Sequence, residues 1–344
     1  PDSFKGTMSS AEICTVMAQA VQEYYPDAQV HSVPVADGGE GSVDSFLQAV
    51  GGEKVSVTVK GPYSEEVPAF YGMLPDGVAV IEMAAASGLP LVAADQRDPC
   101  RATTFGTGEL IHAALDAGLR KIIIGIGGSA TNDGGAGMAQ ALGARFLDAN
   151  SDELPDGGAA LARLQRIDLA GLDARLSETE IIVACDVDNP LCGPRGASAV
   201  FGPQKGATPA TVEVLDSALS HFARCAKTAT GRDVAERPGA GAAGGLGAGL
   251  LFFTNARLRP GVEIVLEAVG FADVVRDADF VITGEGRTDF QTAFGKAPVG
   301  VAKVAKQFGV PVFCLSGGLG EGADDVLAHG IDATLSICDG PMAL

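Results

Sequence analysis

Hydrophobic positions along this chain follow two different periods, and the switches between them divide the sequence. Near the start, Ile13, Val16, Met17, Ala20, Val21 and Tyr24 fall on one face at helical spacing. Ser9 and Glu12 make a capping box ahead of them, and Pro26 follows, so a helix is predicted to open at Ser9 and stop before Pro26. A strand over residues 29–33 leads into VADGGEGS, after which Val43, Phe46, Leu47 and Val50 mark a second helix ending at Gly51 and Gly52. From Lys54 the period shortens. Val55, Val57 and Val59 alternate, then Val67, Ala69, Tyr71 and Met73, then residues 78–83 beyond a Pro75-Asp76-Gly77 turn, which reads as an antiparallel meander.

A helix around residues 107–117 then feeds the stretch on which the chain is organised, KIIIGIGGSATNDGGAGMAQALGARF at residues 121–146. Ile122, Ile123 and Ile124 predict a buried strand, and residues 138–146 are helix-like. Glycines between a strand and a helix N-terminus let backbone N–H groups approach an anion, and the helix dipole favours negative charge there. Ser129, Thr131, Asn132 and Asp133 lie in this loop and could orient a ligand or a metal ion. Gly125-Ile-Gly127-Gly128-Ser129-Ala130 and Gly239-Ala-Gly241-Ala242-Ala243-Gly244 both fit the dinucleotide fingerprint, but a chain with 47 glycines produces such matches easily. After the first match SATNDGG intervenes where a helix should begin, and no G-x-x-x-x-G-K-[ST] P-loop occurs.

Beyond a helical patch near residues 161–167, a strand over 180–185 ends in Asp186-Val187-Asp188-Asn189-Pro190. Carboxylates and an amide at a strand end suit a metal ion or a substrate hydroxyl, and equally an Asx-rich turn. FGPQKGA precedes a long helix with Thr208 at its N-cap, Pro209 at N1, and Val212, Leu215, Leu219 and Phe222 inward. PGAGAAGGLGAG at 238–249 reads either as a ligand loop or as tight packing on a neighbouring backbone. From Asp279 strand–loop–helix order returns: strand 280–283, loop GEGRTDFQTAFGK, helix 297–308, strand 310–315, loop SGGLGEG and strand 333–337. The simplest architecture is an α/β fold with a doubly wound domain built from both chain ends, 1–57 plus 272–344, interrupted by an inserted α/β domain over 58–271. In such sheets ligands bind beyond the strand C-termini.

Composition narrows the chemistry. A net charge of −19 repels nucleic acid and anionic membranes, so neither is an expected partner. Mean hydropathy is +0.23, yet no apolar run approaches the ~18 residues of a membrane span. The chain opens at Pro1 without methionine or a signal-peptide pattern, which suggests a missing N-terminal piece. Seven cysteines without a C-x-x-C fit a reducing cytoplasm, and four scattered histidines give no zinc spacing. Phosphoryl transfer needs cations, a carboxylate-held Mg²⁺ and a proton acceptor. Lys5, Lys205, Arg287 and Lys296 are candidate cations, and Asp37, Glu40, Asp133, Asp186, Glu285 and Asp289 candidate carboxylates. These residues read as an α/β enzyme for an anionic, phosphorylated ligand.

PDSFKG, VPVADGGEG, IEMAAASGL, TGEL, IIIGIGGSATNDGGAGMAQALGA, ACDVDNPLCGPRGAS, FGPQKGA, PGAGAAGGLGAGL and TGEGRTDFQTAFGKAPVGVA occur in order over essentially the whole chain. Together they resemble the type I glycerate kinase family of bacteria. The resemblance implies ATP-dependent phosphorylation of D-glycerate, usually at the 2-hydroxyl, giving 2-phosphoglycerate and ADP. It also implies a Rossmann- or flavodoxin-like domain interrupted by a second α/β domain, with the active site in the cleft. Family members normally begin with a short apolar strand before the position of Pro1 and continue in a helix after that of Leu344. In the GEGR block Thr288 and Phe290 stand where the family leads one to expect Ile and Ser.

Carried over onto this sequence, the catalytic candidates are Lys5, Asp186, Asn189, Arg287, Asp289 and Lys296. Asp186 would serve the acceptor hydroxyl or Mg²⁺ with Asn189 assisting, Arg287 would pair with the glycerate carboxylate, and Lys5 and Lys296 would neutralise the transferring phosphate. ATP and substrate contacts fall to Asp37, Gly38, Gly39, Glu40, Gly127, Gly128, Ser129, Asn132, Asp133, Gly134, Gly135, Gly284 and Glu285, and Mg²⁺ to Asp186 and Glu285. A homo-oligomer is compatible with this reading. The alternatives are a glycerate 3-kinase or kinase of a related hydroxy acid, a dinucleotide-dependent oxidoreductase with Asp148 as ribose partner, and a non-catalytic sensor.

Overall fold

Helices α1 (Ser10–Tyr24) and α2 (Ser42–Val50) open the chain. The capping box forms as the sequence requires: the Glu12 amide donates to Ser9 Oγ at 3.3 Å, and the Ser9 amide to the Glu12 carboxylate at 2.8 Å. Strands β1 (Glu53–Lys60), β2 (Glu66–Met73) and β3 (Val78–Glu82) follow as the expected antiparallel meander. Next come α3 (Ala84–Ser87), α4 (Phe105–Asp116), β4 (Lys121–Gly125), α5 (Ala136–Ala141), β5 (Arg145–Leu147), β6 (Arg166–Asp168) and β7 (Glu180–Ala184). Helices α6 (Ala197–Phe201), α7 (Pro209–Thr230) and α8 (Ala242–Phe253) lead to β8 (Arg257–Arg259). Then α9 (Gly261–Ala268), α10 (Phe271–Val275), β9 (Val281–Thr283), α11 (Ala297–Ala305), β10 (Val312–Ser316) and β11 (Ala333–Ser336) complete the order. This computed structural model describes residues 1–4, 7–35 and 41–338, the Phe294 side chain apart.

Contacts divide the chain into two units, one of Gly38–Val43 and Gly52–Arg259 and one of Pro1–Asp37, Asp44–Gly51 and Pro260–Leu344. The first is built on a sheet in the order β1-β2-β3-β4-β7-β8, parallel from β3 onward. Its central strands β3, β4 and β7 are buried almost throughout, as expected of parallel strands covered on both faces. Leu110, Ile111 and Leu115 of α4, and Leu246 and Leu250 of α8, share a core with Ile122, Ile124, Ile181 and Val183. Phe146, Phe222, Phe252 and Phe253 pack ring to ring in a second core. The other unit carries a parallel sheet in the order β11-β10-β9.

Three expected elements differ, and the glycine run at 238–249 takes its packing alternative. Residues 29–33 are not a strand: among the described residues no strand pairs with them, and 29–32 are exposed. An extended segment without a pairing edge gains nothing from β propensity. The expected helix over 138–146 ends at Ala141, because Gly143 turns at φ +100° with the Gly171 carbonyl 2.0 Å from where a Cβ would sit. Residues 145–147 then pair with β6, whose strand also replaces the end of the expected helix near 161–167. The glycine run 238–249 is mostly α8, kinked by left-handed Ala243, Gly244 and Gly245.

That kink serves packing. The Gly134 amide donates to the Gly244 carbonyl at 3.0 Å, and a Cβ on Gly244 (φ +66°) would lie 1.9 Å from the Thr131 carbonyl oxygen. Gly244→Ala is therefore expected to cost roughly 2–4 kcal/mol, combining left-handed strain with overpacking against backbone. Urea unfolding of the two proteins checks this, and a loss under about 1 kcal/mol would contradict the close approach.

Candidate functional site

Because β3, β4, β7 and β8 run parallel, their C-terminal ends and following loops share one edge of the sheet. The loop after β4 is organised on Asp133, which is 1% exposed. Its carboxylate accepts from the Thr104 amide and hydroxyl, both at 2.8 Å, and from the Gly135 and Gly137 amides at 3.1 and 3.2 Å. The last two lie at the start of α5, where a negative charge meets the positive end of the helix. Burial nevertheless pushes this carboxyl above the usual carboxylate range, against those hydrogen bonds.

Gly134 and Gly135 both adopt positive φ and press on neighbours, Gly134 on the Phe222 ring and Gly135 on Gly249. They are the packed part of the loop. Gly127 and Gly128 are its exposed part, and no acceptor among the described residues meets their amides. Between the two parts, Ser129 Oγ and the Thr131 carbonyl each accept from Lys205 Nζ at 2.7 Å, and Asn132 Nδ2 donates to Ser198 Oγ at 2.9 Å. Lys205 is 1% exposed, and burial lowers its pKa from 10.5 to about 7 while the Asp133 charge opposes the shift.

Asp186 is exposed just beyond β7. Asn189 donates from Nδ2 to the Arg195 carbonyl at 2.7 Å, and its own carbonyl accepts from the Gly241 amide at 2.9 Å. Arg195 also meets Asp188 at 3.0 Å, an exposed pair worth little. A bond from the Asn189 side chain across the loop and an exposed Asp186 therefore coexist here.

In the other unit, the loop after β9 is tied to residues 317–321 through Thr288 N–H to the Gly318 carbonyl at 3.0 Å and Gly320 N–H to the Thr288 carbonyl at 2.7 Å. Glu285 is buried and accepts from the Thr292 hydroxyl at 2.5 Å and the Thr288 hydroxyl at 3.3 Å. Burial raises its pKa, while the Thr292 hydrogen bond and the Lys296 charge pull it back. Gly284 accepts the Asp2 amide at 2.8 Å. Arg287 is largely exposed, 3.8 Å from Asp289, whose Oδ1 accepts the Gln291 amide at 3.0 Å. Lys5, Asp37, Gly38, Gly39 and Glu40 lie outside the described residues.

Among the described residues no three His, Cys, Asp or Glu side chains gather as a metal-holding group. Mg²⁺ is commonly held by one or two carboxylates, phosphate oxygens and water, so the exposed Asp186 fits that ion in its sparse mode. Glu285, already taken by two hydroxyls, fits less well. Asp148 closes its own turn, accepting the Asn150 and Asp152 amides at 2.8 and 3.1 Å, and α5 starts only at Ala136, so neither feature follows the dinucleotide pattern. Thr104 and Thr292 escaped the sequence reading, Thr288 entered it only as a departure from the family pattern, and Lys205 only as a phosphate cation. A lysine between two glycines was the available signal.

Lys205 gives a pH test. Between about pH 7 and 10.5 the unfolded chain holds a proton here that the folded chain has released, so stability contributed by this site rises with pH across that window. Relative to Lys205→Met, the wild-type unfolding free energy should climb by roughly 3–5 kcal/mol over the window. Denaturant titrations at stepped pH check it, and a flat or falling difference would contradict the burial.

The sequence profile described as "Glycerate kinase family" matches residues 1–344. A Bacillus subtilis protein named glycerate kinase is 55% identical over 345 residues, covering 100% of this chain and 90% of the relative. An Escherichia coli protein named glycerate 2-kinase is 52% identical over 338 residues, covering 98% of this chain and 89% of the relative. A crystal structure of a relative from Salmonella typhimurium LT2 matches with a TM-score of 0.89 at 52% identity, covering 98% of this chain and 88% of the other. A mixed α/β chain matched over its full length by both profile and relatives belongs to the glycerate kinase family, and is a kinase.

Proposed function

We propose that this chain transfers the terminal phosphoryl group of ATP to the 2-hydroxyl of D-glycerate, releasing ADP and 2-phosphoglycerate. The full-length match to a relative named glycerate 2-kinase carries the reading. In the reaction the 2-hydroxyl oxygen forms a bond to the γ-phosphorus, the bond from that phosphorus to the β–γ bridging oxygen breaks, and the hydroxyl proton leaves to a base. Asp186 is proposed as that base, being an exposed carboxylate beyond a central strand, with Asn189 shaping its turn. Arg287 suits the glycerate carboxylate, since an exposed guanidinium can present two parallel donors. Lys296 and Lys5 would neutralise the transferring phosphate, and the exposed amides of Gly127 and Gly128 would hold it.

Asp133, Gly134 and Gly135 take a supporting part here, since their polar and packing capacity is spent on the fold. Asp37, Gly38, Gly39, Glu40, Gly284, Glu285 and Asp289 complete the proposed ligand contacts. Mg²⁺ bound with ATP would screen the phosphate charge, with Asp186 its better-placed carboxylate and Glu285 the second. A cytoplasmic location belongs to the same proposal. No described helix is long and apolar enough to cross a membrane.

A coupled assay should show ADP release that requires both Mg-ATP and D-glycerate. Release independent of glycerate, or none at all, would overturn the reading. Asp186→Asn should lower kcat by about 10²–10⁴-fold, and a near-normal kcat would remove it as the base. Arg287→Lys should raise the glycerate KM roughly tenfold with a smaller effect on kcat. An unchanged KM would sink the carboxylate assignment.

A further inference from the structure

Lys205 ends the 3₁₀ turn Pro203–Lys205, and that turn is itself pinned. Gly206 has φ +94°, with the Arg97 carbonyl 2.4 Å from where a Cβ would sit, and an Arg97 guanidinium N–H donates to the Gln204 carbonyl at 3.2 Å. From this fixed base the side chain runs inward to an ammonium shielded from solvent. Its two hydrogen bonds go to positions 129 and 131, on either side of Ala130, in a segment distant in sequence. A desolvated ammonium is costly, and a position that tolerates one normally gains something from its directed donors.

The segment it holds needs holding. Among the described residues Thr131 Oγ1 and Asn132 Oδ1 are buried without a hydrogen-bond partner, which disfavours the observed loop conformation. Backbone bonds brace one side: Leu89 N–H to the Gly128 carbonyl at 2.8 Å and Ala130 N–H to the Ser87 carbonyl at 2.9 Å. Lys205 is a side-chain tether from a separate element, beside the bond from Asn132 to Ser198 of α6. The exposed amides of Gly127 and Gly128 lie immediately before its first acceptor, Ser129. Asp133, the other charge facing this ammonium, directs its own bonds to Thr104 and α5.

We propose that Lys205 is a positioning residue for the phosphoryl transfer: by fixing Ser129 and Thr131 it holds the Gly127 and Gly128 backbone in the shape that receives the anionic ligand. The inference rests on the function proposed above. Its mode is indirect, so removing the ammonium while keeping the side-chain volume should loosen the loop and depress turnover together.

The test uses the full chain with Lys205→Met, Ser129→Ala and the double variant, each checked for folding by circular dichroism. Lys205→Met should lower kcat about a hundredfold, with the KM for ATP and for glycerate changed by less than about threefold. Ser129→Ala should lose about tenfold, and the double variant should be no worse than Lys205→Met, since both cut one linkage. Without ligand, hydrogen–deuterium exchange over residues 126–135 should rise in both single variants while β4 stays protected. A folded Lys205→Met with kcat within about twofold of wild type, multiplicative losses in the double variant, or unchanged loop exchange would each overturn the proposal. If Lys205→Met does not fold, Ser129→Ala decides: slower turnover with faster loop exchange upholds the tether, and wild-type values of both defeat it. A wild-type chain that does not phosphorylate glycerate would defeat the functional reading instead, and loop exchange alone would then uphold or overturn the tether.

Discussion

A carboxylate buried at 1% exposure can exist only where donors converge on it, and the convergence on Asp133 is what the larger unit's candidate edge depends on. Thr104 supplies two donors from the residue before α4, and Gly135 and Gly137 supply two from the start of α5. Thr104 Oγ1 also accepts the Met138 amide at 2.9 Å, so the two helix starts and the loop between them form one hydrogen-bonded knot. The residues that pack against this knot have no room for side chains: Gly134 meets the Phe222 ring, and Gly135 and Gly249 approach backbone to backbone. A glycine-rich stretch that resembles a ligand cradle is thus, over half its length, a packing device. The exposed half is the short part at Gly127 and Gly128.

The two units carry different chemistry at their strand ends. The larger offers backbone donors, a buried ammonium behind them and an exposed carboxylate after β7. The smaller offers an exposed guanidinium and a buried carboxyl held by two threonine hydroxyls. Thr288 is central there, because its hydroxyl also contacts Ser316 Oγ at 2.6 Å and its backbone zips the loops after β9 and β10 together. A threonine at that position can satisfy Glu285 in a way an aliphatic residue could not.

Much of this was legible in the sequence because it is local. The Ser9–Glu12 box, the alternating valines of β1, the isoleucine run of β4 and the Thr208-Pro209 helix start each follow from neighbours a few residues away. The misread elements depend on distant backbone. Residues 29–33 have strand-like composition but no pairing edge among the described residues, and the helix after Gly135 is cut short where Gly143 meets residue 171. In the 238–249 run, composition could not separate a loop from a kinked helix, since the deciding contact is with Thr131 and Asn132, more than a hundred residues earlier. Lys205 was visible as a cation. Its burial and its partners at 129 and 131 became visible only in three dimensions.

The central claim is that this edge of an α/β kinase serves phosphoryl transfer to the 2-hydroxyl of glycerate. The most direct measurement is ³¹P NMR of the material formed from ATP and D-glycerate by the purified chain. The account predicts a 2-phosphoglycerate resonance growing in step with ADP. A 3-phosphoglycerate resonance, or ADP accompanied only by inorganic phosphate, would contradict it.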